Sequence, residues 1–360
     1  MKKVNIFLLG LLLLVVFLAS GCQNNGASSD REDLLAGLGL EQKIGQMFLI
    51  GIQGTEITND AADQIRAIHP GGIILFGRNI QDAGHLKAFI DSLQKIATDD
   101  GGYPLFIAVD QEGGEIVRIK WINDDIGQAD IKDSDQAYRM GYNRAKSLKN
   151  LGINQILGPV LDIGQSGDFL TRYKRCLQGN AEEVGAMGKS IIAGQNDGGM
   201  LSTAKHFPGY GGISFDPENE RLAVMSQVPE ISQFETALEA GPQFVMGANV
   251  IYEDIDPLVP FALSASGIDF LYEELGNDFI VITDDLASKV LKAEYSLAGT
   301  VVMAAKAGVD MLLISGNEPN DAMEAYEAIL NAVRDGEIPE ETIGAHARKI
   351  IEAKNKFSIH

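Results

Sequence analysis

Cysteine is nearly absent from this chain: two in 360 residues, Cys22 and Cys176. Two cysteines exclude a disulfide framework, and no internal bridge remains if Cys22 is consumed elsewhere. Histidine is almost as scarce. His69, His85, His206, His346 and His360 form no His-x-His pair and no ligand constellation, which sets aside a metal-dependent hydrolase; no metal and no cofactor is implied. Positive charge is in short supply, with 29 Lys and Arg against 50 Asp and Glu and a net charge of −21. That balance sets aside nucleic acid, whose phosphates need cations, and electrostatic docking on anionic lipid. The glycines at 209, 211 and 212 have no Lys-Ser/Thr behind them, and no dinucleotide fingerprint is present. No internal stretch rich in Pro, Ser or Gly divides the chain, so one globular domain is expected.

What is present begins with a leader. Met1, Lys2 and Lys3 are a short positive start, residues 6–18 are apolar apart from Gly10, and Leu18-Ala19-Ser20-Gly21-Cys22 follows. The apolar run is too short to span a bilayer comfortably, and the order is that of a secretory signal peptide. Small residues ending in Cys resemble the bacterial lipobox, which implies cleavage before Cys22 and a diacylglyceryl group on it. Residues 1–21 are then the signal peptide and 22–31 the lipidated Cys with a polar, flexible tether. Residues 32–360 are the globular domain, held in the cell envelope on the extracytoplasmic side of a bacterial membrane. The composition, 45% hydrophobic and 22% charged, is that of a core-forming chain. Cys176 reads as a small semi-buried residue.

The domain alternates short apolar runs with amphipathic stretches. Strands are expected at 47–52, 72–76, 105–109, 155–161, 201–205, 244–250, 279–283 and 309–314. Helices are expected at 59–68, 83–97, 133–151, 182–196, 264–275, 297–307 and 322–334. Eight strand-then-helix units predict an α/β fold, a single (β/α)8 TIM-type barrel, with a doubly wound sheet as the alternative, since periodicity does not show closure. Polar residues sit at the strand ends: Asp110 to Gly114 after the third, Asp162 after the fourth, Lys205-His206 at the fifth, Asn249 at the sixth, Asp284-Asp285 at the seventh. Strand C-termini form the catalytic face of such barrels. Side chains alternate along a strand, so only one of Asp284 and Asp285 is expected to aim into the mouth.

Three motifs carry a resemblance. Lys205-His206-Phe207-Pro208-Gly209, followed by Asp216-Pro217-Glu218, resembles the active-site loop K-H-F-P-G-H-G-D-T-x-x-D-S-H of the bacterial β-N-acetylglucosaminidases of glycoside hydrolase family 3. Thr283-Asp284-Asp285-Leu286 is similar to that family's S/T-D-D-L. Val109-Asp110-Gln111-Glu112-Gly113-Gly114 with Arg118 is similar to V-D-Q-E-G-G-x-V-x-R, and Arg175 falls where relatives have the Arg of R-S-F-G-x-D-P, with Arg172 as a nearby alternative. The resemblance implies the barrel and a retaining hydrolase releasing terminal β-linked N-acetylglucosamine from peptidoglycan- or chitin-derived glycans. It implies Asp284 as the nucleophile that forms a glycosyl-enzyme. It assigns Asp110, Arg118, Arg175, Lys205 and His206 to sugar binding, and Asp216 with Glu218 to catalysis on the acid/base loop. Many relatives carry a second domain after the barrel; a barrel alone, acting as a monomer, is expected here.

The departures from the pattern matter as much. Tyr210, Glu218 and Asn249 stand where the family has histidines, and Ser288 where it has Met. The lost histidine at 218 is the acid/base. A carboxylic acid is the commonest general acid in retaining glycosidases, so Glu218 is a possible substitute, its pKa raised by Asp216 and Asp284, with Glu220 a second candidate. An anionic Glu would repel phosphate, which sets aside a phosphorylase. The rival is a sugar-binding lipoprotein on a catalytically impaired barrel.

Overall fold

The computed structural model describes residues 34–122 and 126–359; the expected signal peptide, Cys22 and the tether lie outside the described residues. Eight strands alternate with helices: Phe48–Gly51 (β1), Gly72–Leu75 (β2), Phe106–Val109 (β3), Gln155–Ile156 (β4), Leu201–Phe207 (β5), Phe244–Gly247 (β6), Ile280–Thr283 (β7) and Leu312–Ile314 (β8). All neighbours pair in parallel, in the order β7-β6-β5-β4-β3-β2-β1-β8. The two ends meet. A parallel bridge joins Ile282 to Met311, the Thr283 amide donates to the Met311 carbonyl (3.0 Å) and the Leu313 amide to Thr283 Oγ1 (3.0 Å). This is a (β/α)8 barrel rather than an open doubly wound sheet, as its closure required side-to-side contacts that periodicity does not encode.

The strands read as continuous apolar runs because helices cover their outer faces while side chains fill the interior. Across the barrel, the rings of Phe106 on β3 and Phe244 on β6 meet edge to face at 5.3 Å. Helices Asn59–Ile68, Ala83–Thr98, Ser134–Lys149, Ala181–Asp197, Ala265–Leu275, Leu297–Ala307 and Asp321–Arg334 lie within two residues of their expected bounds. Caps explain the sharp starts: Thr58, Asp82, Asp133, Asn180 and Ser264 each accept a hydrogen bond from a first-turn amide.

Three expected strands are shorter by three residues or more; that at 309–314 begins only at Leu312. The run at 244–250 stops at Gly247; Val250–Tyr252 then pairs in parallel with Ala223–Met225, a segment of the long loop after β5. The run at 155–161 keeps regular pairing only at Gln155–Ile156, because Pro159 has no amide to donate. The helices Leu40–Gln46, Ser232–Leu238 and Glu340–Lys356 were not read from the sequence.

Candidate active site

The polar strand ends converge at the C-terminal mouth of the barrel. Asp110, Arg118, Arg175, Lys205, His206, Asp216, Glu218 and Asp284, all singled out by motif, line one cavity of about 230 Å³.

Its floor is a buried chain of alternating charges. Lys205 Nζ donates to Asp110 Oδ1 (3.0 Å) and to Glu112 Oε1 (2.8 Å). Arg175 grips the same Glu112 with two hydrogen bonds, Nε to Oε2 and Nη2 to Oε1, both 2.9 Å. Arg175 Nη2 also lies 3.4 Å from His206 Nε2, while His206 Nδ1 is 2.8 Å from Asp162 Oδ2. At the other end Arg118 donates to Asp110 Oδ2 (3.3 Å). Burial alone would raise the Glu112 carboxyl; Arg175 and Lys205 outweigh it and hold Glu112 far below the usual carboxylate range. Burial likewise works against Asp110 and Lys205, and their partners again win, so both stay charged. For His206 burial wins over Asp162 and keeps the ring neutral, with Nδ1–H on Asp162 and the Nε2 lone pair toward Arg175.

Glu112, given no role by the motifs, joins the two buried cations. It lies within the Asp110 motif, but its role depends on Arg175, 63 positions away. Arg175 itself is buried, whereas Arg172 is turned to the Ser214 carbonyl at 2.6 Å. The glycine pair has a local reason. Gly113 and Gly114 have φ of 87° and 60°, and a Cβ on Gly113 would come within 2.5 Å of the Ile126 carbonyl. The turn they make lets Gln111 Oε1 accept from the Arg118 and Ile119 amides, which brings Arg118 back over Asp110.

The opposite wall carries carboxyls. Asp284 and Asp285 both border the cavity, just past the end of β7 at Thr283. Asp284 Oδ1 accepts from the Asp285 amide (2.8 Å), and Asp285 Oδ1 is taken by the Ala287 and Ser315 amides. Burial pushes Asp284 up to about 6, against the Asp285 amide and Lys205, and pushes Asp285 up to about 6 as well. Glu218 is pushed up to about 7, by burial first and by the Asp284 charge second, with Arg175 opposing.

Asp216 serves its own loop. Its Oδ1 accepts from the Glu218 and Asn219 amides (2.9 and 3.1 Å) and its Oδ2 from Asn219 Nδ2 (2.9 Å). The Glu218 carbonyl accepts from the Val290 amide (3.2 Å), which ties this loop to the segment after Asp284. Glu220 is exposed and accepts from the Asp216 amide. The other departures find structural uses. Tyr210 is buried with its ring 4.6 Å from that of His206, Asn249 Nδ2 donates to the Asp285 carbonyl (3.0 Å), and Ser288 caps the helix Lys289–Glu294. Cys176 is buried, its thiol pushed up to about 11 by burial, which keeps it inert.

A binding floor of fixed charges below and partly protonated carboxyls beside it suit bond cleavage at a sugar. The family described as glycosyl hydrolase family 3 N terminal domain matches residues 39–353. An uncharacterized secreted glycosyl hydrolase of Arthroderma benhamiae is 30% identical over 308 residues, 80% of this chain and 85% of that one. A beta-hexosaminidase of Alkalilimnicola ehrlichii is 30% identical over 330 residues, 86% and 91% of the two chains. Among solved structures, a glycoside hydrolase family 3 beta-N-acetylglucosaminidase from Paenibacillus sp. str. FPU-7 superposes with a TM-score of 0.84 at 31% identity; the match covers 89% of this chain and 63% of that one.

Proposed function

Because this chain belongs to glycosyl hydrolase family 3, we propose that it is a retaining β-N-acetylhexosaminidase that releases terminal β-linked N-acetylglucosamine from peptidoglycan- or chitin-derived glycans. The observation that carries this reading is the pairing, in one cavity, of Asp284 with a Glu218 whose pKa is lifted to about 7. Asp110, Lys205, Arg118, Arg175 and His206 hold the sugar hydroxyls, with Glu112 fixing the two buried cations. Asp284 attacks the anomeric carbon as Glu218 gives its proton to the departing oxygen, and the glycosidic C–O bond breaks. Glu218, now a carboxylate, takes a proton from water, whose oxygen displaces Asp284 with net retention. Asp216 holds Glu218 in its turn and does not touch the reacting atoms.

A cavity of about 230 Å³ is smaller than the roughly 300–1,000 Å³ of drug-sized sites and matches a single sugar ring, which favours exo action. The same reading places residues 32–360 as the catalytic barrel behind a signal peptide at 1–21 and a tether at 22–31 lipidated at Cys22. The relative described as secreted supports a position outside the cytoplasm. Cys22→Ala should then move the protein from the membrane fraction to the soluble fraction of the bacterium.

Hydrolysis of an aryl β-N-acetylglucosaminide by the mature chain tests the activity. Turnover is expected with a β-configured first product, and Asp284→Asn should lower it by about a thousandfold or more. Sugar binding without turnover in the unaltered protein would instead establish the impaired, sugar-binding barrel.

A further inference from the structure

The cavity has an aromatic rim that the reaction above does not use. Tyr173 lines its mouth, yet 45% of the residue is exposed, one of the few large hydrophobic side chains left open among the described residues. It follows the short helix Phe169–Arg172, and its ring packs on Phe169 with centroids 5.0 Å apart. Phe169 in turn lies beneath Arg175, whose guanidinium carbon is 5.7 Å from the ring centre. Arg175 and Phe169 are thus buried while Tyr173, packed on Phe169, is the exposed member of the three.

The mounting is rigid. Asp168 is buried and accepts from the Gln165 and Thr171 amides (both 2.7 Å) and from the Gly212 amide (2.9 Å). The Phe169 amide donates to the Ile213 carbonyl (2.8 Å), and Arg172 to the Ser214 carbonyl (2.6 Å). The segment that carries Tyr173 is thus bonded to the loop that leads to Glu218, and the ring rests on Phe169. Tyr173 and Arg175 line the same cavity, the one at its exposed edge and the other buried in its floor.

We propose that Tyr173 is the platform for the sugar on the leaving-group side of the scissile bond. The protein then takes a disaccharide or longer glycan, with its second ring stacked on Tyr173. The aromatic face covers the C–H face of a pyranose while the phenol stays in water. This rests on the reading that the cavity holds the terminal N-acetylglucosamine.

Calorimetry on the mature chain tests it, with two probes: free N-acetylglucosamine and the sulfur-linked N-acetylglucosamine disaccharide, which resists hydrolysis. The disaccharide should bind the unaltered protein more tightly than the monosaccharide. Tyr173→Ala should weaken the disaccharide about tenfold and leave the monosaccharide unchanged, while Tyr173→Phe keeps both affinities. Unchanged disaccharide affinity in Tyr173→Ala, an equal loss for both sugars, or no binding of either sugar to the unaltered protein would overturn the platform. Failure to cleave the oxygen-linked disaccharide, with this pattern of binding intact, would remove the catalytic reading and leave the platform standing.

Discussion

The pKa of the half-buried Glu218 is raised to about 7 chiefly by desolvation, and only then by the Asp284 charge. The neighbouring charges visible in the sequence are the smaller cause; desolvation is the larger, and it exists only once the chain has folded around the site. The consequence is a narrow working range. As pH falls through about 6, Asp284 gains a proton and the nucleophile is lost; as pH rises through about 7, Glu218 loses its proton and the acid is lost. The two groups titrate as a pair, so kcat/KM should trace a bell with its maximum between those limits. A pH profile of an aryl glycoside with a poor leaving group checks this, and Glu218→Gln should remove the alkaline limb. The same variant should slow poor leaving groups by about a hundredfold or more and good ones far less, because only the former need the proton. Equal losses for both would count against Glu218 as the acid.

At the scale of elements, the segment that carries Arg175 and Tyr173 leads into the helix Ala181–Asp197, which crosses the helix Ser134–Lys149 at glycines. A Cβ on Gly194 would sit 2.2 Å from the Tyr138 carbonyl, and one on Gly141 would sit 2.4 Å from the Ile191 carbonyl. Neither contact can relax by moving a side chain, so the helices would have to part. Ala ordinarily stabilises a helix over Gly by about 1 kcal/mol, but forcing two backbones apart costs roughly 1–3 kcal/mol or more. Gly194→Ala should therefore lower the melting temperature by about 5 °C. Gly84→Ala is the control. It lies exposed in Ala83–Thr98, its Cβ would meet only Asp82 Oδ1 at 3.5 Å, and melting should hold steady or rise.

At the scale of the whole molecule, the last helix closes the end of the barrel opposite the site. Lys354, from Glu340–Lys356, is buried beneath the strands with Nζ 2.7 Å from Gln46 Oε1 and 5.1 Å from the Phe106 ring centre. Burial pushes its pKa well below the ordinary lysine value. The sign follows from proton counting. Between the lowered folded pKa and the ordinary unfolded one, the unfolded chain binds the extra proton, so Lys354 costs stability at low pH and the cost fades as pH rises toward the lysine range. Lys354→Met should raise the melting temperature at neutral pH by about 3 °C and flatten its rise with pH. A lower melting temperature in that variant would show that the bond to Gln46 outweighs the burial cost.

The strands, most helices and the motif residues were legible in the sequence because each depends on near neighbours. Periodicity reports which faces are buried, Thr58 and Asn180 cap their own helices, and Asp110, Lys205 and Asp284 sit at the ends of apolar runs that a barrel points one way. The expectation of lipidation at Cys22 likewise rests on a local pattern, residues 18–22. Tertiary structure alone decided that Glu112 binds both Arg175 and Lys205, that Arg175 rather than Arg172 is buried, that Asp285 joins Asp284 at the mouth, and that the run at 244–250 splits to pair with the loop after β5. The physical reason is range. A pKa or an ion pair depends on distance and on lost water, and Asp110 meets Lys205 across 95 residues only when the barrel closes.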